Sequence, residues 1–166
     1  KNEGKALFDK SHITGAIYAD LDKDLAGNIT ESSGRHPLPN INTISGKLRK
    51  WGINKLTHVI VYDHNNGSIA SRLWWLLKWL GHEKVSVLDG GFLEWEKSNF
   101  PIDNLIINYE PGNFVPVLKQ DKTWTAELIT KWIEQSKKFL LIDARDENRY
   151  RGIEEPIDRK AGHIPG

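Results

Sequence analysis

Residues 57–91 carry the pattern that most constrains the fold. Thr57-His58-Val59-Ile60-Val61-Tyr62-Asp63 is a β-branched run ending on a polar residue, and Val85-Ser86-Val87-Leu88-Asp89 is a second that runs into Gly90-Gly91. Both are continuous apolar runs rather than strict alternations, which predicts parallel strands covered on both faces. Between them residues 68–80 hold Ile69, Leu73, Trp74, Trp75, Leu76, Leu77, Trp79 and Leu80, a density that predicts a helix buried deeply against a sheet. Gly81 supplies its stop, and Ser68 after Gly67 its cap. Strand, helix and strand joined by short loops make a βαβ unit, whose crossover is right-handed in nearly all proteins. Lys78 is the only charge between Leu73 and Leu80, so the tryptophans are assigned to the core and not to a stacking surface for nucleic acid.

A third apolar run, Phe139-Leu140-Leu141-Ile142-Asp143, leads into Ala144-Arg145 and predicts another strand. Before it, Thr123 or Thr125 can cap a helix with Leu128, Ile129, Trp132 and Ile133 on one face. The stretch 103–121 carries Pro111, Gly112 and Pro116 with few periodic apolar positions, which predicts an extended linker. The expected division is a first domain at 1–103, a linker at 104–122 and the start of a second domain at 123–166. His12-Ile13-Thr14-Gly15-Ala16 is echoed at the far end by His163-Ile164-Pro165-Gly166, about a domain length later. The second copy follows the run ending Asp143-Ala144-Arg145, whereas the strand matching it in the first copy would fall before Lys1. The chain has no Met, hence no initiator. The expectation is a tandem repeat truncated at both ends, its second copy incomplete.

Composition narrows the chemistry. Lys and Arg number 23 against 22 Asp and Glu, a net charge of +1, which gives no reason to expect nucleic acid or an anionic membrane as partner. Hydrophobic residues at 39% and charged residues at 27% belong to a folded protein rather than a disordered one. No apolar run approaches the roughly 20 residues of a membrane span and no signal peptide opens the chain, so a cytoplasmic location is expected. The absence of Cys removes any disulfide, zinc–thiolate site or cysteine nucleophile from these residues. His12 and His163 lack the spacing of paired metal ligands, and no metal and no cofactor is expected. Asn28-Ile29-Thr30 and Asn66-Gly67-Ser68 match the glycosylation sequon, but nothing indicates secretion.

Asp143-Ala144-Arg145, Arg149-Tyr150-Arg151-Gly152, Glu155-Pro156 and Ala161-Gly162-His163-Ile164-Pro165-Gly166 together resemble the second domain of two-domain rhodaneses, the thiosulfate and mercaptopyruvate sulfurtransferases. The first domain of that family is matched in order by His12 to Ala16 with Asp20, Arg35-His36-Pro37-Leu38-Pro39, Val61-Tyr62-Asp63, and Leu88-Asp89-Gly90-Gly91-Phe92 with Trp95. The resemblance implies an α/β fold, a parallel sheet with helices on both faces, used twice. It also implies an enzyme that carries sulfane sulfur from mercaptopyruvate or thiosulfate, as a cysteine persulfide, to cyanide or a thiol such as that of a small redox protein. The nucleophilic Cys would lie beyond Gly166. At the corresponding position of the first domain stands Asp63, which cannot carry sulfur, so the first domain is expected to be the non-catalytic copy.

The same resemblance nominates the site residues. Arg149 would hold the donor's sulfonate or carboxylate, work that suits a planar guanidinium, with Arg159 as a second positive group. The alternative for Arg149 is a surface pair with Glu147 or Asp146. Asp20 and His36 would support proton transfer, the imidazole because it titrates near neutrality. Their alternatives are a capped turn at Asp20 and a His36 that anchors the proline loop. The loop His64-Asn65-Asn66-Gly67-Ser68 is either a vestigial anion cradle or, with Asp63 negative at its centre, a tight structural turn. Beside the enzyme stands a rival of another class, a rhodanese-like tandem that has lost catalysis and serves as a binding or regulatory module. A third candidate, the related cell-cycle phosphatase architecture, has no residues here that argue for it.

Overall fold

The computed structural model describes residues 3–158 and 160–164. Arg159 and the Pro165-Gly166 end of the second motif lie outside the described residues. In chain order the elements are helix α1 (Glu3–Lys10), strand β1 (His12–Ile13), α2 (Ile41–Lys50), β2 (Val59–Val61), α3 (Ser68–Trp79) and β3 (Val85–Val87). They continue with α4 (Gly91–Lys97), β4 (Ile102–Asp103), a 3-10 turn (Gln120–Lys122), α5 (Ala126–Glu134) and α6 (Glu147–Tyr150). The chain divides into two compact units, Lys1–Lys122 and Thr123–Gly166.

In the first unit β2 and β3 pair in parallel, with Val59 opposite Val85 and Val61 opposite Val87, and α3 forms the crossover between them. Leu76, Leu77 and Leu80 are fully buried, and they meet Ile44 and Leu48 of α2, Leu25, and Phe114. Trp79 is buried as well, whereas Trp74 and Trp75 are only half-buried at the margin of this core. The strands are covered on one face only. Val61 and Val85 point into the core, whereas on the opposite face Ile60 is 60% exposed and its neighbour Ser86 is exposed too, so the expectation of two covered faces does not hold for the described residues. The second strand pair, β1 with β4, is antiparallel, with His12 opposite Asp103.

Helix α3 ends as Gly81 requires. With φ at 82° Gly81 donates its N–H to the Lys78 carbonyl, and His82 donates to the Leu77 carbonyl, which together close a Schellman motif. A Cβ on Gly81 would also lie 2.4 Å from the Val117 carbonyl oxygen, so the glycine serves both the turn and a close backbone approach. That approach shows what the expected linker does. Residues 109–119 are extended but strapped onto the first unit. Gly112 donates to the Arg49 carbonyl, Phe114 to Ile53, Val117 to Leu80 and Lys119 to Trp79, and Phe114 is buried.

At the start of α2 the Asn40 side chain accepts the N–H groups of Asn42 (2.9 Å) and Thr43 (3.2 Å). Replacing Asn40 by Ala should cost about 1 kcal/mol, because two N–H groups lose their side-chain acceptor at an end already open to water. Chemical denaturation, reading the midpoint at unchanged slope, checks this.

In the second unit Thr125, of the two candidates, caps α5, accepting the Leu128 N–H at 3.3 Å. Trp132 packs edge-on against Trp124 at 4.4 Å. The run 139–143 does not form a strand. Leu140 is 83% exposed and Ile142 74%, and no neighbouring strand among the described residues pairs with them. An apolar run becomes a strand only when a partner takes up its backbone N–H and C=O groups.

Candidate active site

β2 delivers Asp63 to the mouth of a loop that folds back over its carboxylate. Oδ1 accepts the N–H groups of Asn65 (2.9 Å) and Gly67 (3.0 Å), and Oδ2 accepts those of Ile69 (2.9 Å) and Ala70 (3.0 Å). Asp63 thus caps α3 from outside the helix. Ser68, the expected cap, is already its first residue, and the N-cap Gly67 sits at φ 84° without a side-chain bond. Burial pushes the Asp63 carboxyl up, but the four backbone donors outweigh it and hold it below the usual carboxylate value. The turn 88–92 closes on the same loop. Phe92 donates its N–H to the Asp63 carbonyl at 3.0 Å, and a Cβ on Gly91 would lie 2.6 Å from that oxygen. The loop has the converging donors of an anion cradle, and its own carboxylate fills it.

Asp63 shares a cavity of about 740 Å³ with Asp20 and Asp22. Asp20 closes a turn, its Oδ1 accepting the N–H groups of Asp22 (3.0 Å) and Lys23 (2.9 Å), while Tyr18 donates to its Oδ2 at 3.5 Å. Burial first, then the Asp20 charge and hydrogen bond, push the Tyr18 hydroxyl up. His36 does not meet Asp20. Its Nε2 lies 3.1 Å from Asp22 Oδ1.

The second unit holds a chain of ion pairs. Arg149 is buried, its Nε 3.0 Å from both oxygens of Glu155, and its Nη2 reaches Glu155 and Asp158. Arg145 joins Glu155 to Asp143. The alternative surface pair with Glu147 or Asp146 does not form: Asp146 instead accepts the backbone N–H of Arg149 as the cap of α6. Glu155, whose side chain is 5% exposed, is pulled down to about 2, first by the Asp158 N–H and, against the cost of burial, by Arg149 and the Ile157 N–H. Asp143 is pulled down to about 2 by the hydrogen bonds it accepts from Arg145. Among the described residues no group of three or more His, Asp or Glu is placed to hold a metal ion.

A family model for the rhodanese-like domain matches residues 2–98. The chain belongs to the rhodanese-like family. The "Probable 3-mercaptopyruvate sulfurtransferase" of Pseudomonas aeruginosa is 38% identical over 98% of the chain, and the chain spans 58% of that protein. The thiosulfate sulfurtransferase of Cricetulus griseus is 35% identical over 99% of the chain, which spans 56% of it. Among solved structures, that of SseA, a 3-mercaptopyruvate sulfotransferase of the rhodanese fold from Escherichia coli, superposes with a TM-score of 0.80 at 29% identity, covering 96% of this chain and 59% of that one. The parallel β2–β3 pair with its α3 crossover is thus part of a rhodanese fold.

Sequence reasoning assigned no role to Asp22 and Arg72 in the first unit or to Glu155 in the second. Asp22 stands between two residues that resemble family motifs, and its contact with His36 crosses a loop without regular structure. Glu155 belongs to a recognised motif, yet its place at the centre of the ion-pair chain depends on how residues 151–158 curl back. Arg72 of α3 is half-buried, and its guanidinium meets the Leu25, His36 and Pro37 carbonyls. A lone Arg among apolar helix positions was the available signal.

Proposed function

We propose that the chain is the first domain and the opening of the second domain of a tandem rhodanese-like sulfurtransferase, which moves sulfane sulfur from mercaptopyruvate or thiosulfate to a thiol or cyanide. The observation that carries this is the reach of the likeness: relatives named for these activities align over 98–99% of the chain, well past the residues 2–98 that match the domain model. The two histidine motifs support the repeat. His12 Nδ1 hydrogen-bonds to the Phe8 carbonyl at 2.8 Å with the rings stacked at 3.8 Å, and His163 Nδ1 hydrogen-bonds to the Tyr150 carbonyl at 2.8 Å with the rings stacked at 3.9 Å. Each motif follows a short helix that carries the aromatic residue.

The nucleophile would be a Cys beyond Gly166. Its thiolate attacks the outer sulfur of thiosulfate; a Cys–S bond forms, the donor S–S bond breaks, and sulfite leaves with the electron pair. With mercaptopyruvate the C–S bond breaks instead, and the carbon takes a proton to give pyruvate. Arg149 and Arg159 would hold the donor anion, and Asp20 and His36 would support the proton transfer. Asp63 makes the first domain a silent copy, its cradle filled by a carboxylate that cannot carry sulfur. That same residue favours the rival, a tandem with no working copy that serves as a binding or regulatory module. Among the described residues no helix is long and apolar enough to cross a membrane.

The full-length protein, assayed with each donor in turn, should release thiocyanate from cyanide with ping-pong kinetics, and pyruvate when mercaptopyruvate is the donor. A folded full-length protein that turns over neither donor would overturn the enzyme in favour of the binding module.

A further inference from the structure

We infer that Arg72 is a positioning residue whose guanidinium clasps two irregular loops onto α3 and so fixes the Asp22–His36 pair at the edge of the site cavity. Residues 14–40 contain no helix and no strand, yet they carry Asp20, Asp22 and His36. Something other than secondary structure must hold them. Arg72 donates from Nε and Nη2 to the Leu25 carbonyl, at 3.2 Å each, and from Nη2 to the His36 and Pro37 carbonyls, at 3.0 Å each. Leu25 ends the turn that Asp20 opens, for its N–H returns to the Asp20 carbonyl at 3.2 Å. His36 and Pro37 belong to the loop that supplies the imidazole.

The two loops also bind each other. Gly27 donates to the Pro37 carbonyl at 3.0 Å, and a Cβ on Gly27 would lie 2.6 Å from the Leu38 carbonyl oxygen, so their backbones are already in contact. One guanidinium therefore gathers carbonyls from both sides of this seam. Its donors are fixed in a plane and cannot be matched by a lysine ammonium. Among the described residues no carboxylate pairs with Arg72, and burial pushes the guanidinium down from its ordinary value. A half-buried cation kept without a counter-charge is poorly explained as a stabilising ion pair, and well explained as a donor to several carbonyls at once.

The placement of Arg72 also joins these loops to the cradle. It lies one turn from the start of α3, whose first N–H groups end on Asp63. Asp22, Leu25 and Asp63 line the same cavity. The rigid helix thereby sets the distance between the Asp63 loop and the Asp22–His36 pair.

The test uses the full-length protein with Arg72→Gln and Arg72→Lys, read by amide hydrogen exchange and by kinetics. In both variants the amides of Leu25, Gly27 and neighbouring residues within 20–39 should exchange about tenfold faster or more, while those of α2 and the second half of α3 keep their rates. Unchanged exchange in 20–39 would overturn the inference. So would a uniform acceleration across the first unit, since Arg72 would then support the fold as a whole. The consequence for turnover rests on the sulfurtransferase function proposed above. There kcat/KM for mercaptopyruvate should fall about tenfold in both variants, and His36→Ala should cost less in the Arg72→Gln background than alone. Additive losses would overturn the positioning role. Faster loop exchange in a full-length protein that transfers no sulfur would sink the proposed function and leave the clasp standing.

Discussion

Asp63→Ala should lower the stability of the first unit by about 2–3 kcal/mol, a fall of about 10 °C in Tm for a protein of this size. The carboxylate accepts four backbone N–H groups at 2.9–3.0 Å, two of them at the first turn of α3. An ordinary side-chain cap satisfies one such group and is worth about 1 kcal/mol. The loop is partly open to water, which will solvate some of the donors left behind, so the loss falls short of four full charge-assisted bonds. Asp63→Asn should not restore it, because the amide offers one acceptor oxygen and turns an NH2 toward donors. The effect must also depend on pH. The folded-state carboxyl titrates below its ordinary 3.8. Its stabilisation is therefore complete above that value and drains away as the pH falls through the lower folded-state value. Urea denaturation from pH 7 to pH 2 should show wild type and Asp63→Ala converging below about pH 4. A gap that stays constant to pH 2 would mean that charge is not what holds the loop.

The contrast between Ser68 and Asp63 shows where sequence reasoning reached and where it stopped. The βαβ unit was legible because its signals are local: β-branched runs, dense apolar positions and a glycine at the right step, all read within one element. The position of Asp63 just past β2 was legible too, as the polar residue that ends the apolar run. Its capping was not, because a side chain that reaches a helix several residues ahead depends on the curl of the loop, and a serine beside the helix start offers the simpler guess. The same limit applies to Arg149, whose partners proved to be Glu155 and Asp158 and not the adjacent acids. It applies to His36, which finds Asp22 across a loop. The run 139–143 fails differently. Its composition suits a strand, but pairing belongs to the partner as much as to the run, and sequence alone cannot supply the partner. At 104–122 the prolines and missing periodicity described an extended conformation well. They said nothing of the backbone bonds that strap 112–119 to α2, α3 and the following turns.

Arg149→Lys in the full-length protein should lower kcat/KM for the sulfur donor about a hundredfold while leaving kcat/KM for the acceptor nearly unchanged. The split follows from the persulfide mechanism proposed above, in which only the first of two half-reactions contains the donor anion. Arg149→Ala, the simpler experiment, cannot separate function from folding, because the guanidinium is buried and Glu155 and Asp158 lean on it. Among the described residues, removing it leaves the 5%-exposed Glu155 with only Arg145 as cation, so the Ala variant should lose stability as well as activity. Lysine keeps the positive charge beside Glu155 but gives up the fork. Among the described residues Nε and Nη2 are taken up by Glu155 and Asp158, and Nη1 has no carboxylate against it. In the proposed donor-binding role a donor oxygen would meet Nη1 while the ion pairs keep the plane of the group fixed, an arrangement an ammonium cannot reproduce. A Lys variant with full donor kcat/KM would show that Arg149 serves only the ion-pair chain, and a Lys variant impaired equally with donor and acceptor would assign it to both half-reactions.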